Sequence, residues 1–164
     1  AGVDILCFYG DMGSQAGLLL GPDTWRQHIL PRWKLIIERI RRVNRDALVF
    51  YHSCGYIEPI IDGIVEAGFD ILNPVQPLAM DPARLKKRYG KNLCFWGAVD
   101  DQKVMPFGSP ADVETEVRLR IAQLAPGGGY ILCPSHNIQP TTPMENVKAY
   151  YRAAERYRDY PLKA

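Results

Sequence analysis

"ALVFYHSC", residues 47–54, runs apolar from its start and closes on a histidine and a cysteine two positions apart, with Gly55 directly after. A half-exposed strand would alternate apolar with polar residues. A run that stays apolar reads as a strand covered on both faces, the mark of a parallel sheet flanked by helices. Four more stretches read the same way: "VDILCFYG" (3–10), "FDILNPV" (69–75), "NLCFWGAV" (92–99) and "GYILCPS" (129–135). Between them the apolar spacing becomes helical. In "TWRQHILPRWKLIIERIRRVN" (24–44), Trp33, Ile36, Ile37 and Ile40 share a face while Arg and Lys fill the other. Strand, loop and helix, repeated five times, give a parallel α/β fold with right-handed crossovers.

The helix starts repeat one device. Gly21-Pro22, Asp81-Pro82, Ser109-Pro110 and Thr142-Pro143 each set a cap residue before a proline suited to the first turn. Thr142 and Glu145 have capping-box spacing. Pro31 should kink or split the first helical stretch. The glycines of "APGGGY" (125–130) run from helix into strand, so they read as a turn and not as a phosphate cradle, which runs from strand into helix.

The 164 residues fit one domain over 1–164, and a 47% hydrophobic, 23% charged composition is that of an ordinary globular chain. The net charge of +2 suggests neither a nucleic-acid nor an anionic-membrane partner. The basic run "ERIRRVNR" (38–45) interleaves apolar positions and reads as a solvated helix face. "AERYRDY" (154–160) reads as a terminal helix packing its tyrosines. No apolar run reaches the ~20 residues of a membrane helix, and no signal peptide opens the chain. Cys7, Cys54, Cys94 and Cys133 lie in strand-like runs, which leads us to expect reduced thiols and a cytoplasmic protein. The Ala-Gly start fits a processed chain or a fragment of a longer one.

In parallel α/β folds the carboxyl ends of the strands form the working face. Here those ends bring Tyr9 and Asp11, His52 and Cys54, Asn73 and Gln76, Asp100 and Asp101, and His136 with Asn137 to one rim. His52 and Cys54, at i and i+2, point to the same side of a strand with Cα atoms ~6.5 Å apart, close enough to share one ion. Alone, such a pair is a weak signal and more often reads as a core histidine beside a structural thiol. A zinc site needs a third ligand, and His136 is the first candidate, Cys133 the second. Three protein ligands with the fourth position open describe a catalytic zinc. Asp11 and Asp100 are candidates to receive a displaced proton or to orient substrate. As exposed loop carboxylates they would instead cap backbone amides. Tyr9, Gln76 and Asn137 are candidate substrate contacts. His28 lies far from the rim and carries no role.

"YGDMGSQAGLLLGPDTWRQHILP", "YHSCGYIEPIIDGIVEAGFDILNPVQP", "FWGAVDDQ" and "GGGYILCPSHNIQPTTPMENVKAYYRAAERY" resemble the uroporphyrinogen decarboxylase superfamily, which comprises decarboxylases of haem biosynthesis and corrinoid-dependent methyltransferases. The resemblance covers essentially the whole chain. It implies a TIM (β/α)8 barrel, of which this chain looks like the carboxyl-terminal five strand–helix units, a partial barrel. In the methyltransferase branch the H-x-C pair binds zinc with a later cysteine. In the matching segment this sequence has His136. The decarboxylases carry a histidine there and no H-x-C, and their tetrapyrrole-holding arginine and aspartate belong to the implied missing part. The resemblance thus implies zinc, a corrinoid as methyl donor, and a small thiol or a tetrapyrrole as substrate, with His136 as a catalytic residue besides a ligand. It also leads us to expect a homo-oligomer or association with a complementary barrel half. Leu6, Phe50, Leu72, Phe95 and Leu132 are candidates for the inward-facing side chains that such a partner would cover.

Overall fold

A computed structural model describes residues 2–159. Five strands, β1 (Ile5–Tyr9), β2 (Leu48–His52), β3 (Ile71–Asn73), β4 (Cys94–Val99) and β5 (Tyr130–Pro134), form one sheet in the order β1-β2-β3-β4-β5. Every neighbouring pair is parallel. Among the described residues seven α-helices, and a 3-10 turn at Glu58–Ile60, lie between and after the strands: α1 (Pro22–His28), α2 (Leu30–Val43), α3 (Ile61–Ala67), α4 (Pro82–Tyr89), α5 (Val104–Phe107), α6 (Pro110–Leu124) and α7 (Met144–Tyr157). Sequential strand order with a helical crossover at each step is that of consecutive units of a (β/α)8 barrel, five of the eight. Among the described residues β1 pairs only with β2 and β5 only with β4. No helix of the described residues is long and apolar enough to cross a membrane.

Pro31 splits the first helical stretch as its missing N–H requires, with α1 ending at His28 and α2 starting at Leu30. Asp81 caps α4, its side chain accepting from the backbone N–H of Ala83 and Arg84. Ser109 and Asp112 form a capping box at the start of α6. The box expected between Thr142 and Glu145 does not form. Pro143 is itself the cap of α7 and its carbonyl takes the first helical bonds, from Asn146 and Val147. The three glycines at 127–129 all have positive φ in the α6–β5 turn, where Lys86 Nζ donates to the Gly128 carbonyl.

The main core lies between the sheet and its helices. Phe8, Trp33, Tyr51 and Phe69 interlock there edge-on or tilted, with ring centroids 5.0–5.2 Å apart for the closest pairs. Leu72 and Phe95 belong to this core, Leu132 packs against the cluster under α6 and α7, and Leu6 lines a cavity together with Ile40 and Val43 of α2. Four of the five side chains expected to face inward therefore face the helices. Strand parity explains it: Cys7 is in register with Phe50 and points inward with it, so Leu6 points outward. Phe50 does face inward. The tyrosines of the last helix divide. Tyr150 is buried, Tyr151 is exposed and Tyr157 donates to Glu114, whereas Tyr160 lies outside the described residues. In the basic run, Arg41 bonds the Ala47 carbonyl and Asp70, and Arg42 bonds Glu38.

Candidate metal centre

His52 ends β2, Cys54 follows in the loop and His136 lies just beyond β5. Their ligand atoms all lie within 4.8 Å of one another. Cys54 Sγ is 3.5 Å from His52 Nε2, and the two histidine rings are 6.1 Å apart between centroids. A tetrahedral zinc with its usual bond lengths separates a sulfur from a nitrogen by ~3.5 Å. The His52–Cys54 edge already has that length, and His136 is the exposed member of the three. The donor set, two imidazoles and a thiol, is that of zinc sites. Cys133 lines the same cleft without joining this cluster.

The pair is held by its surroundings. His52 Nδ1 meets Asn73 Oδ1 at 2.6 Å, and the Asn73 amide donates to the Trp96 carbonyl at 2.8 Å. With the Asn73 amide so turned, Nδ1 carries the proton and Nε2 is left toward Cys54. The Cys54 N–H donates to Asp11 Oδ1 (2.8 Å), the Gly55 N–H to Gln76 Oε1, and the Met12 N–H to Ser53 Oγ (2.9 Å). The loop after β1 presses on this turn so closely that a Cβ on Gly55, whose φ is +80°, would lie 2.6 Å from the Gly13 carbonyl carbon. Burial pushes the Cys54 thiol up to about 11, with the charges of Asp11 and Asp101 adding to it.

Each residue singled out in the sequence has a definite place. Asp11 Oδ1, besides bonding Cys54, lies 3.8 Å from His52 Nε2. Tyr9 is exposed over the cleft, its ring 5.2 Å from that of His52. Asn137 lines the cleft. Gln76 is buried and spent on the Gly55 N–H, behind the cysteine turn. Asp100 is buried, and its carboxylate accepts from the N–H groups of Gln102 and Lys103. That makes it a loop cap that does not line the cleft. Its neighbour Asp101 is the carboxylate near the metal cluster. Burial raises its pKa, the charge and backbone N–H of His136 lower it, and its Oδ1 is buried without a partner. Gly97 and Ala98 have positive φ at the end of β4, and past this break Ala98 and Val99 both pack on the helix side. Alternation along an undistorted strand could not have told Asp100 from Asp101. Ser135, beside His136, also lines the cleft and carried no signal beyond that adjacency.

The cleft encloses about 400 Å³ between the inner face of the sheet and the rim. Tyr9, Phe50 and Trp96 form its aromatic wall, with Phe50 5.9 Å from Tyr9 and 5.3 Å from Trp96. Among the described residues no lysine or arginine lines it.

The family model for uroporphyrinogen decarboxylase (URO-D) matches residues 1–157. The methylcobamide:CoM methyltransferase MtaA of Methanosarcina barkeri is 26% identical over 157 residues, covering 96% of this chain and 43% of that protein. The uroporphyrinogen decarboxylase of Trichodesmium erythraeum (strain IMS101) is 24% identical over 136 residues, covering 83% and 37%. A solved methyltransferase from Methanosarcina mazei superposes with a TM-score of 0.76 at 23% identity over 96% of this chain and 43% of its own, a likeness of fold. The chain spans about two-fifths of the length of the curated relatives it matches.

Proposed function

The chain belongs to the uroporphyrinogen decarboxylase (URO-D) family, and from that premise we propose that it serves zinc-assisted methyl transfer from a corrinoid to a thiol. The observation that carries this reading is the meeting of His52, Cys54 and His136 within 4.8 Å at the carboxyl-terminal rim. These three residues would hold the ion and leave one position for substrate. Zinc bound there supplies the Lewis acidity that keeps an incoming thiol in its nucleophilic thiolate form at neutral pH. Asn73 fixes the His52 ring, while Asp11 and Gln76 hold the cysteine turn, so the ligands are oriented before substrate arrives. Asp11, half exposed beside His52, is placed to take up the proton that a thiol gives up on becoming a thiolate. Tyr9 and Asn137 bound the space in which the acceptor sits. Four free thiols favour a reducing, cytoplasmic setting.

Relatives named uroporphyrinogen decarboxylase carry the second reading, porphyrinogen decarboxylation. Such a substrate brings the carboxylate it loses, and among the described residues no lysine or arginine lines the cleft to hold it. A third reading is a partial barrel that binds a metal, ligand or partner and catalyses nothing. Purification without chelators, followed by metal analysis and a methyl-transfer assay with methylated corrinoid and thiol, separates the three. Methyl transfer predicts about one zinc per chain and a thioether product that depends on it. A zinc-free chain that binds a tetrapyrrole would overturn it in favour of decarboxylation, and a zinc-bound chain without turnover in favour of the third reading.

A further inference from the structure

Gly13 is buried in the loop after β1, directly against the turn that carries Cys54. A Cβ built there would lie 2.7 Å from the Cys54 carbonyl oxygen, 2.9 Å from the Gly55 carbonyl carbon and 2.9 Å from Ile57 Cγ2. From the other side, a Cβ on Gly55 would lie 2.6 Å from the Gly13 carbonyl carbon and 2.7 Å from the Ser14 backbone nitrogen. Two bare backbones meet here, and neither has room for a methyl group. Three hydrogen bonds clamp the same contact: Met12 N–H to Ser53 Oγ (2.9 Å), Cys54 N–H to Asp11 Oδ1 (2.8 Å) and Tyr56 N–H to the Ser14 carbonyl (2.8 Å). The loop is itself braced. Gly13 bridges to Leu18, the Leu19 N–H donates to the Met12 carbonyl at 2.8 Å, and the Ser14 N–H donates to the Gly17 carbonyl at 2.7 Å. Ile57, on the far flank, is buried in the main core, so the contact has little slack there.

The φ of Gly13 lies outside the left-handed region, so what excludes alanine at this position is space and not backbone strain. A methyl group would act as a wedge on the backbone of Cys54 and Gly55. Relieving it to the 3.4 Å of ordinary contact displaces the turn, whereas a metal's ligands must be held to within ~0.5 Å. We propose that Gly13 is a positioning residue of the metal centre: the bare backbone of the β1 loop is the seat of the Cys54 turn and sets where the thiolate sits relative to His52. Gly13 itself is no ligand. The inference rests on the metal-site reading above and adds to it a loop from a second strand on which the site depends.

The test titrates the full chain with Co²⁺, whose thiolate charge-transfer band reports coordination by Cys54. Gly13→Ala should bind Co²⁺ roughly 10–100-fold more weakly, the range for a lost outer-shell support, with the band shifted or weakened and the circular dichroism native. Gly17→Ala is the control in the same loop, because a Cβ there meets nothing within 4 Å, and it should match wild type in both. A Gly13→Ala chain with wild-type affinity and band would overturn the inference and leave the metal site standing. Hydrogen exchange of the wild-type chain is a second measurement that needs no variant. Zinc should slow exchange at the Met12 and Tyr56 amides, which tie loop to turn, and leave the Gly128 amide at the other end of the sheet unchanged. Equal exchange at Met12 and Tyr56 with and without zinc would overturn the inference, and this result decides alone if Gly13→Ala does not fold. If wild type binds neither metal, the metal site falls and this inference with it.

Discussion

Asn73 donates its amide to the Trp96 carbonyl at 2.8 Å, and this leaves its oxygen to receive the His52 Nδ1 proton. The ring nitrogen left over, Nε2, is the one 3.5 Å from Cys54 Sγ. A side chain that touches no metal thus decides whether His52 can be a ligand. Removing such an outer-shell partner costs roughly 10–100-fold in metal affinity. Asn73→Ala should therefore weaken zinc binding by about that factor while circular dichroism stays native. Cys54→Ser, which removes a ligand, should lower zinc content further, and Cys133→Ser should leave it unchanged. A competition titration against a chromophoric chelator measures all three. Equal affinity in Asn73→Ala and wild type would contradict the tautomer argument.

Among the elements, the helix caps separate what spacing alone can and cannot say. Ser109 accepts from the Asp112 N–H and the Asp112 carboxylate accepts in return from the Ser109 N–H, whereas Thr142 makes no cap at all. Ser109→Ala should destabilise the fold by about 1 kcal/mol in denaturant unfolding, and Thr142→Ala should fall within a few tenths of zero. Similar losses for both would show that Thr142 caps α7 after all. All five strands were legible in the sequence because parallel burial leaves long apolar runs, and Pro31 announced the helix break. Which way the inner residues point was not legible, since a run apolar on both faces carries no alternation to mark the inside. His52 and Cys54 were legible as a pair through their i, i+2 spacing. The meeting with His136 depends on sheet curvature, and the exchange of Asp100 for Asp101 on the positive φ of Gly97 and Ala98. Neither is written in local spacing.

At the scale of the whole molecule, five barrel strands leave two edges and an inner face partly open. Tyr9, Leu48 and Ile131 are exposed on that face, and Val3 and Val43 below it. Apolar parallel edges favour association. Sedimentation equilibrium at micromolar concentration should give a mass above the 18.5 kDa of one chain, from a second copy or a complementary barrel half. A single folded species of 18.5 kDa would show that the five units stand alone. The same curvature that leaves the face open carries the end of β2 toward the end of β5, two strands beyond its neighbour, and on this convergence the functional reading depends. X-ray absorption at the zinc edge of the metal-loaded chain tests it most directly. One sulfur at ~2.3 Å and two imidazole nitrogens at ~2.0 Å are expected, with a light atom or an added thiol in the fourth position. A shell of two protein sulfurs, or one without the multiple-scattering signature of two imidazoles, would contradict it.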